Sequence, residues 1–183
     1  MALAFKKAGY DVILVSSSSF ECEKYMDWFG VDICGLKTYY TIPWDLRSFG
    51  IYMRLIIWRT MLKAIKNENP DFICTDESTY KPLTSKIEKT FKFIEYVHFP
   101  IQITLRKEFK GTGYYYGEDP YLYEKYSKFP MNIYFNVYVK LLPKYVIDNP
   151  FEYADIVFVN SQWTANLCEK VYGEKPIVLN PPI

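Results

Sequence analysis

The 183-residue chain contains one histidine, His98, and four cysteines, Cys22, Cys34, Cys74 and Cys168, none of them in a C-x-x-C pair. A zinc site of ordinary ligand spacing is therefore not expected, and reduced, partly buried thiols are. No apolar run reaches about 18 residues, and no charged-then-apolar leader ends in small residues, so neither a membrane span nor secretion is indicated. The expected location is cytoplasmic. No G-x-G-x-x-G follows a strand, which argues against a dinucleotide-binding enzyme. Charge of one sign is also lacking: 22 Lys and Arg against 21 Asp and Glu leave a net +1. No general field grips a phosphate backbone, and nucleic acid is not an expected partner.

What remains is apolar and aromatic. Half the residues are hydrophobic, 19% are aromatic and 23% are charged, the reverse of a disordered composition. The length favours one domain spanning residues 1–183. Heavy use of Tyr, Ile and Lys resembles chains from hot-living archaea, in which intracellular disulfides do occur.

Along the chain, short apolar runs alternate with amphipathic stretches. MALAFKKAG reads as a helix tail carrying Lys6 and Lys7 near its end and stopped by Gly9, and DVILVS reads as a strand. Ser16 to Ser19 are expected to cap a helix over 20–29 ended by Gly30, with VDICGL as the next buried strand. A long helix from Arg47 to Lys66 would bury Ile51, Leu55, Trp58, Leu62 and Ile65 and turn Arg59, Lys63 and Lys66 outward. DFICTD is a strand buried on both faces that ends at Asp76 and Glu77, a helix is expected around 81–90, and FKFIEYV runs as a strand into His98. Residues 101–130 lose periodicity, as a functional loop does. A helix over 131–147 interrupted at Pro143, the strand ADIVFVNS, a helix over 162–171 capped by Ser161 and stopped by Gly173, and the strand PIVLN complete the pattern.

Solid apolar strands alternating with helices predict an α/β fold, a Rossmann-like parallel sheet with helices on both faces. Ligands bind such sheets beyond the carboxyl ends of the strands. Ser16 to Ser19, Asp76 and Glu77, His98, and Asn160 and Ser161 all fall there.

Three segments carry a resemblance. PDFICTDESTYKPLTSKI, YVHFP and ADIVFVNSQWTANLCEKVYGEKPIVLNPPI together resemble the N-terminal domain of GT-B glycosyltransferases of the retaining, glycogen-synthase-like type, closest to the lipid-linked-oligosaccharide mannosyltransferases. The last segment is the most specific, and the likeness covers residues 2–183. Family members open with a strand and glycine-rich turn ahead of the first helix, which have no counterpart here. Pro181 and Pro182 match the hinge to a second, donor-binding Rossmann-like domain. The resemblance thus implies the acceptor-side part of a two-domain transferase, unable to turn over alone. Its partners would be a nucleotide-sugar donor such as an activated mannose, a lipid-linked or glycan acceptor, and the missing C-terminal domain or a separate donor subunit. No further cofactor and no metal are implied.

Within that reading His98 is the catalytic candidate, lying over the donor sugar near the reacting carbon as a hydrogen-bonding group rather than a nucleophile. Asp76 and Glu77 are candidates to hold acceptor hydroxyls, or otherwise to cap the next helix. Phe99 and Ser161 complete the substrate-binding candidates, with Ser161 first of all an N-cap. Trp163 reads as a packing residue. Tyr121, Tyr123, Tyr126, Phe129, Tyr134, Phe135 and Tyr138, with Lys125, Lys128 and Lys140, either pack in the interior or rest in a membrane interface, making peripheral contact with the inner face of a membrane. The alternative function is an acceptor-side subunit of a split transferase that docks a separate donor-binding protein.

Overall fold

The computed structural model describes residues 2–44 and 49–181. It is an α/β structure built on two parallel sheets, and the chain divides into two compact units, Met1–Asn69 and Pro70–Ile183. The start expected for the long helix at Arg47, and Pro182 of the expected hinge, lie outside the described residues.

In the first unit, helix α1 (Ala2–Lys7) leads through Gly9, with φ of 92°, into strand β1 (Ile13–Ser18). The expected serine cap does not form, because Ser16 and Ser18 are drawn into β1 and pair with strand β2 (Lys37–Ile42). Ser19 instead donates its hydroxyl to the Pro43 carbonyl, 2.6 Å away. Helix α2 (Cys22–Phe29) starts at Glu21 with no side-chain cap and stops at the left-handed Gly30. VDICGL is not a strand: a turn there buries Ile33 and Leu36 and brings Cys34 into a disulfide with Cys22. The expectation of reduced thiols is thereby corrected for this pair, whereas Cys74 and Cys168 are free.

The single long helix also breaks in two. Helix α3 (Gly50–Arg54) gives way over Leu55 to Ile57, where β-branched residues crowd the turn, and helix α4 (Trp58–Glu68) resumes with Met61 and Ala64 buried. Leu55 is buried as expected, but Ile51, Trp58, Leu62 and Ile65 are only half-buried, because Met53, Ile57, Met61 and Ala64 take the inner face. Arg59, Lys63 and Lys66 do face solvent. Asn69, in the left-handed conformation, ends α4.

The second unit is a four-stranded parallel sheet in the order β3 (Phe72–Thr75), β4 (Lys92–Val97), β5 (Ile156–Val159) and β6 (Ile177–Val178). Parallel neighbours require crossovers, and these are supplied by helix α5 (Lys81–Thr84), by the segment bearing helices α6 (Pro120–Tyr126) and α7 (Met131–Tyr145), and by helix α8 (Gln162–Tyr172). Helix α5 is far shorter than the 81–90 expected, and α7 runs through Pro143, which sits in its last turn. The register pairs Val97 with Val159 and Val159 with Val178, so these valines share one face of the sheet. Against that face pack Ala165 and Cys168 of α8, with Phe151 and Tyr172 around them.

β3 is half-buried rather than sealed on both faces. At the amino ends of the strands Asp155 joins β4 to β5. Its carboxylate accepts from the Phe93 N–H at 2.7 Å and from Lys89 at 2.9 Å, and its own N–H donates to the Phe93 carbonyl at 2.8 Å. The Phe93 backbone bond, Lys89 and Lys92, whose Nζ lies 3.5 Å away, hold the Asp155 carboxyl down at about 2.

Candidate functional site

The carboxyl ends of β3, β4 and β5 carry the candidate residues. β4 ends at Val97, so His98 emerges at the rim, its side chain 61% exposed. Its ring meets the edge of Tyr96 two residues earlier, centroids 4.9 Å apart. The Tyr96 hydroxyl donates to the Leu179 carbonyl at 2.9 Å, so the support under the imidazole is tied to the chain after β6. Period-2 alternation puts Tyr96 and His98 on the same side of the strand.

β3 and β4 are register partners through Thr75 and Glu95, which places Asp76, one residue on, beside the tip of β4. Its carboxylate lies 3.9 Å from His98 Nε2. That separation is longer than a hydrogen bond, and a rotamer change would join them. Both side chains are solvent-exposed, so their mutual attraction is weak. Glu77 is half-buried, its N–H bonded to the Thr75 hydroxyl, which in turn donates to the Glu77 carbonyl. Neither acid caps α5, which begins at Tyr80 without a side-chain cap.

Ser161 is the N-cap of α8: its hydroxyl accepts from the Thr164 N–H at 3.2 Å, while the Thr164 hydroxyl donates to Asn160 at 2.7 Å. Its oxygen is engaged in starting the helix. Phe99 stacks at 20° on Trp163, centroids 6.2 Å apart, and Tyr114 leans against both. Trp163 is not packed away as its sequence context suggested, since 53% of it remains exposed.

One titratable group that sequence reasoning passed over lies on the other side of β4. Glu95 stands between Phe93 and Val97 in the inward alternation and is 5% exposed. Burial pushes its carboxyl up to about 7, against the opposing pull of the Thr79 hydroxyl, which donates to it at 2.6 Å. Burial also pushes the Cys168 thiol up to about 11, with Glu95 adding to it, and raises the Tyr172 phenol. An acid at an inward position of a strand was the visible signal.

Among the described residues, Cys22, Glu23 and Cys34 bring donor atoms within 4.8 Å of one another, as a metal site would. The two sulfurs are bonded to each other and offer no thiolate. In α6 and α7 the aromatic set divides. Tyr126, Tyr134, Phe135 and Tyr138 form a chain of ring contacts, whereas Tyr121, Tyr123 and Phe129 are 64%, 66% and 78% exposed. No helix of the described residues is long and apolar enough to cross a membrane. Comparison with family models, with curated proteins and with solved structures gives no match.

Proposed function

We propose that the chain is the acceptor-binding part of a retaining hexosyltransferase of GT-B type. It would move a hexose such as mannose from a nucleotide sugar to a glycan or lipid-linked acceptor. The observation that carries the reading is the meeting of His98 and Asp76 at the carboxyl tips of adjacent parallel strands, exposed and unoccupied by packing. The three sequence segments that resemble the family supply those tips and α8.

The chemistry follows from transition-state charge. As the sugar–phosphate bond of the donor loosens, positive charge grows at the anomeric carbon and its ring oxygen, and hydrogen-bond groups fixed beforehand stabilise it. His98, steadied by Tyr96, fills that role. Asp76 accepts from an acceptor hydroxyl and orients it, with Glu77 beside it at the same tip. The donor is held by a second Rossmann-like domain, whether on the same polypeptide or on a separate subunit. The exposed Tyr121, Tyr123 and Phe129 with Lys125 and Lys128 suit peripheral contact with an anionic membrane bearing a lipid-linked acceptor.

The test is a transfer assay with labelled nucleotide hexose and glycan acceptors, run on the chain together with a donor-binding domain. His98→Ala is expected to lower kcat about a hundredfold or more while circular dichroism stays unchanged. Transfer at the parent rate in His98→Ala, or rapid turnover by the chain alone, would overturn the assignment.

A further inference from the structure

Three rings from separated parts of the sequence meet at the residue after His98. Phe99 follows it in the chain, Tyr114 comes from the irregular segment after β4, and Trp163 from the first turn of α8. Their centroids are 6.0 to 6.5 Å apart. The helix does not need Trp163 for its own packing, because Thr164, Ala165, Leu167 and Cys168 supply the buried face of α8. Leaving half of the largest side chain in water forgoes apolar burial, the ordinary reason for a tryptophan to stack on a phenylalanine.

We propose that Phe99, Tyr114 and Trp163 form a stacking subsite for one pyranose ring of a glycan acceptor; this rests on the hexosyltransferase reading. A pyranose offers a face of C–H bonds and a rim of hydroxyls. The negative face of an aromatic ring attracts the former. The hydroxyl rim stays in water, since Trp163 is 53% exposed and Phe99 and Tyr114 are only half-buried. An alkyl chain laid on these part-exposed rings would leave its outer side in water with no polar rim to hydrate. A protein partner needs about 1,200 Å² or more of total buried area, whereas three part-exposed rings supply a few hundred at most.

Saturation-transfer NMR with methyl α-mannopyranoside and methyl α-glucopyranoside tests the subsite, with 1-hexanol as the alkyl control. Saturation is expected on the C–H protons of one sugar face, and little on hexanol. Trp163→Ala and, independently, Tyr114→Ala should each weaken binding about tenfold, while Trp163→Phe, which keeps a ring face, should stay within about threefold. Sugar binding that survives both alanine variants, absence of binding by either pyranoside, or preference for hexanol would overturn the subsite. In the transfer assay, Trp163→Ala should raise the acceptor KM and leave kcat alone. Transfer with an unchanged KM would remove the subsite and leave the transferase standing. Pyranoside binding at the rings with no transfer under any condition would do the reverse, leaving a glycan-binding surface.

Discussion

The two units of the chain are held by different means. In Pro70–Ile183 the sheet closes over sealed side chains: Phe93, Val159, Leu83 and Ile103 have no exposure at all. In Met1–Asn69 the most buried hydrophobic residue of the core, Leu55, keeps 3%, no residue of β1 is buried, and the sheet has two strands. A two-stranded sheet with a thin core is marginal, and small cores are commonly stapled. Here the staple is the Cys22–Cys34 disulfide, helped by Glu68, which accepts from the Tyr39 hydroxyl and pairs with Lys37 at 2.6 Å. The candidate site sits on the unit with the rigid frame, which is where a catalytic group is best held in place.

The largest effects should separate the two. Phe93→Ala empties a sealed position and is expected to cost about 3–5 kcal/mol, removing amide-exchange protection from β3 to β6. Replacing Cys22 and Cys34 by serine frees a 12-residue separation and is expected to cost about 3 kcal/mol, with protection lost from β1, β2 and α2. Equal loss of protection in both units from either change would show that the contrast between core and staple is false.

This contrast also explains what the sequence made legible. β3, β4, β5 and α8 follow from solid apolar runs with clear stops, and there the expected and observed elements agree within a residue or two. In the first unit the signals conflict. KTYYTI alternates weakly and was passed over for VDICGL, whose apolar residues serve a turn, and the serines that look like caps are strand residues. A cysteine pairing leaves no mark in spacing alone. The placing of His98, Asp76, Phe99 and Ser161 at the carboxyl ends of strands was readable because strand ends can be read locally. Tyr114 and Trp163, and the support of Tyr96 by Leu179, depend on contacts between distant segments, and no local pattern announces them.

A sharper comparison uses pH, since the second unit contains a sealed acid. Glu95 faces Thr79 across the loop from β3, Thr75 and Val157 as its register partners, and Cys168 and Tyr172 from α8. Its carboxyl rises from an ordinary 4.5 to about 7, so the folded unit keeps a proton that the unfolded chain gives up. Stability from this group is complete below about 4.5, declines as pH rises toward 7, and is level above. The loss is on the order of 3 kcal/mol. Glu95→Gln keeps an acceptor for Thr79 and should flatten the decline in urea midpoint between pH 4.5 and 7. An unchanged slope in the variant would assign the pH dependence to other groups.

The smallest effect tests the same contrast one helix at a time. α8 starts with Ser161, whose hydroxyl takes the Thr164 N–H, whereas α2 starts with Glu21, which makes no such bond although its φ of −85° and ψ of 108° suit a capping residue. Glu21 instead pairs with Lys24 at 2.8 Å on the surface, a contact worth a few tenths of a kcal/mol. Ser161→Ala should therefore remove about 1 kcal/mol from the second unit, and Glu21→Ser should add about 0.5–1 kcal/mol to the first. The gain is available because the first unit has an unmade bond at a helix start while the second has already made its own. Chemical denaturation followed at the α2 and α8 amides reads both. A Glu21→Ser variant no more stable than the parent would mean that the Lys24 pair, and not the empty cap, sets the start of α2.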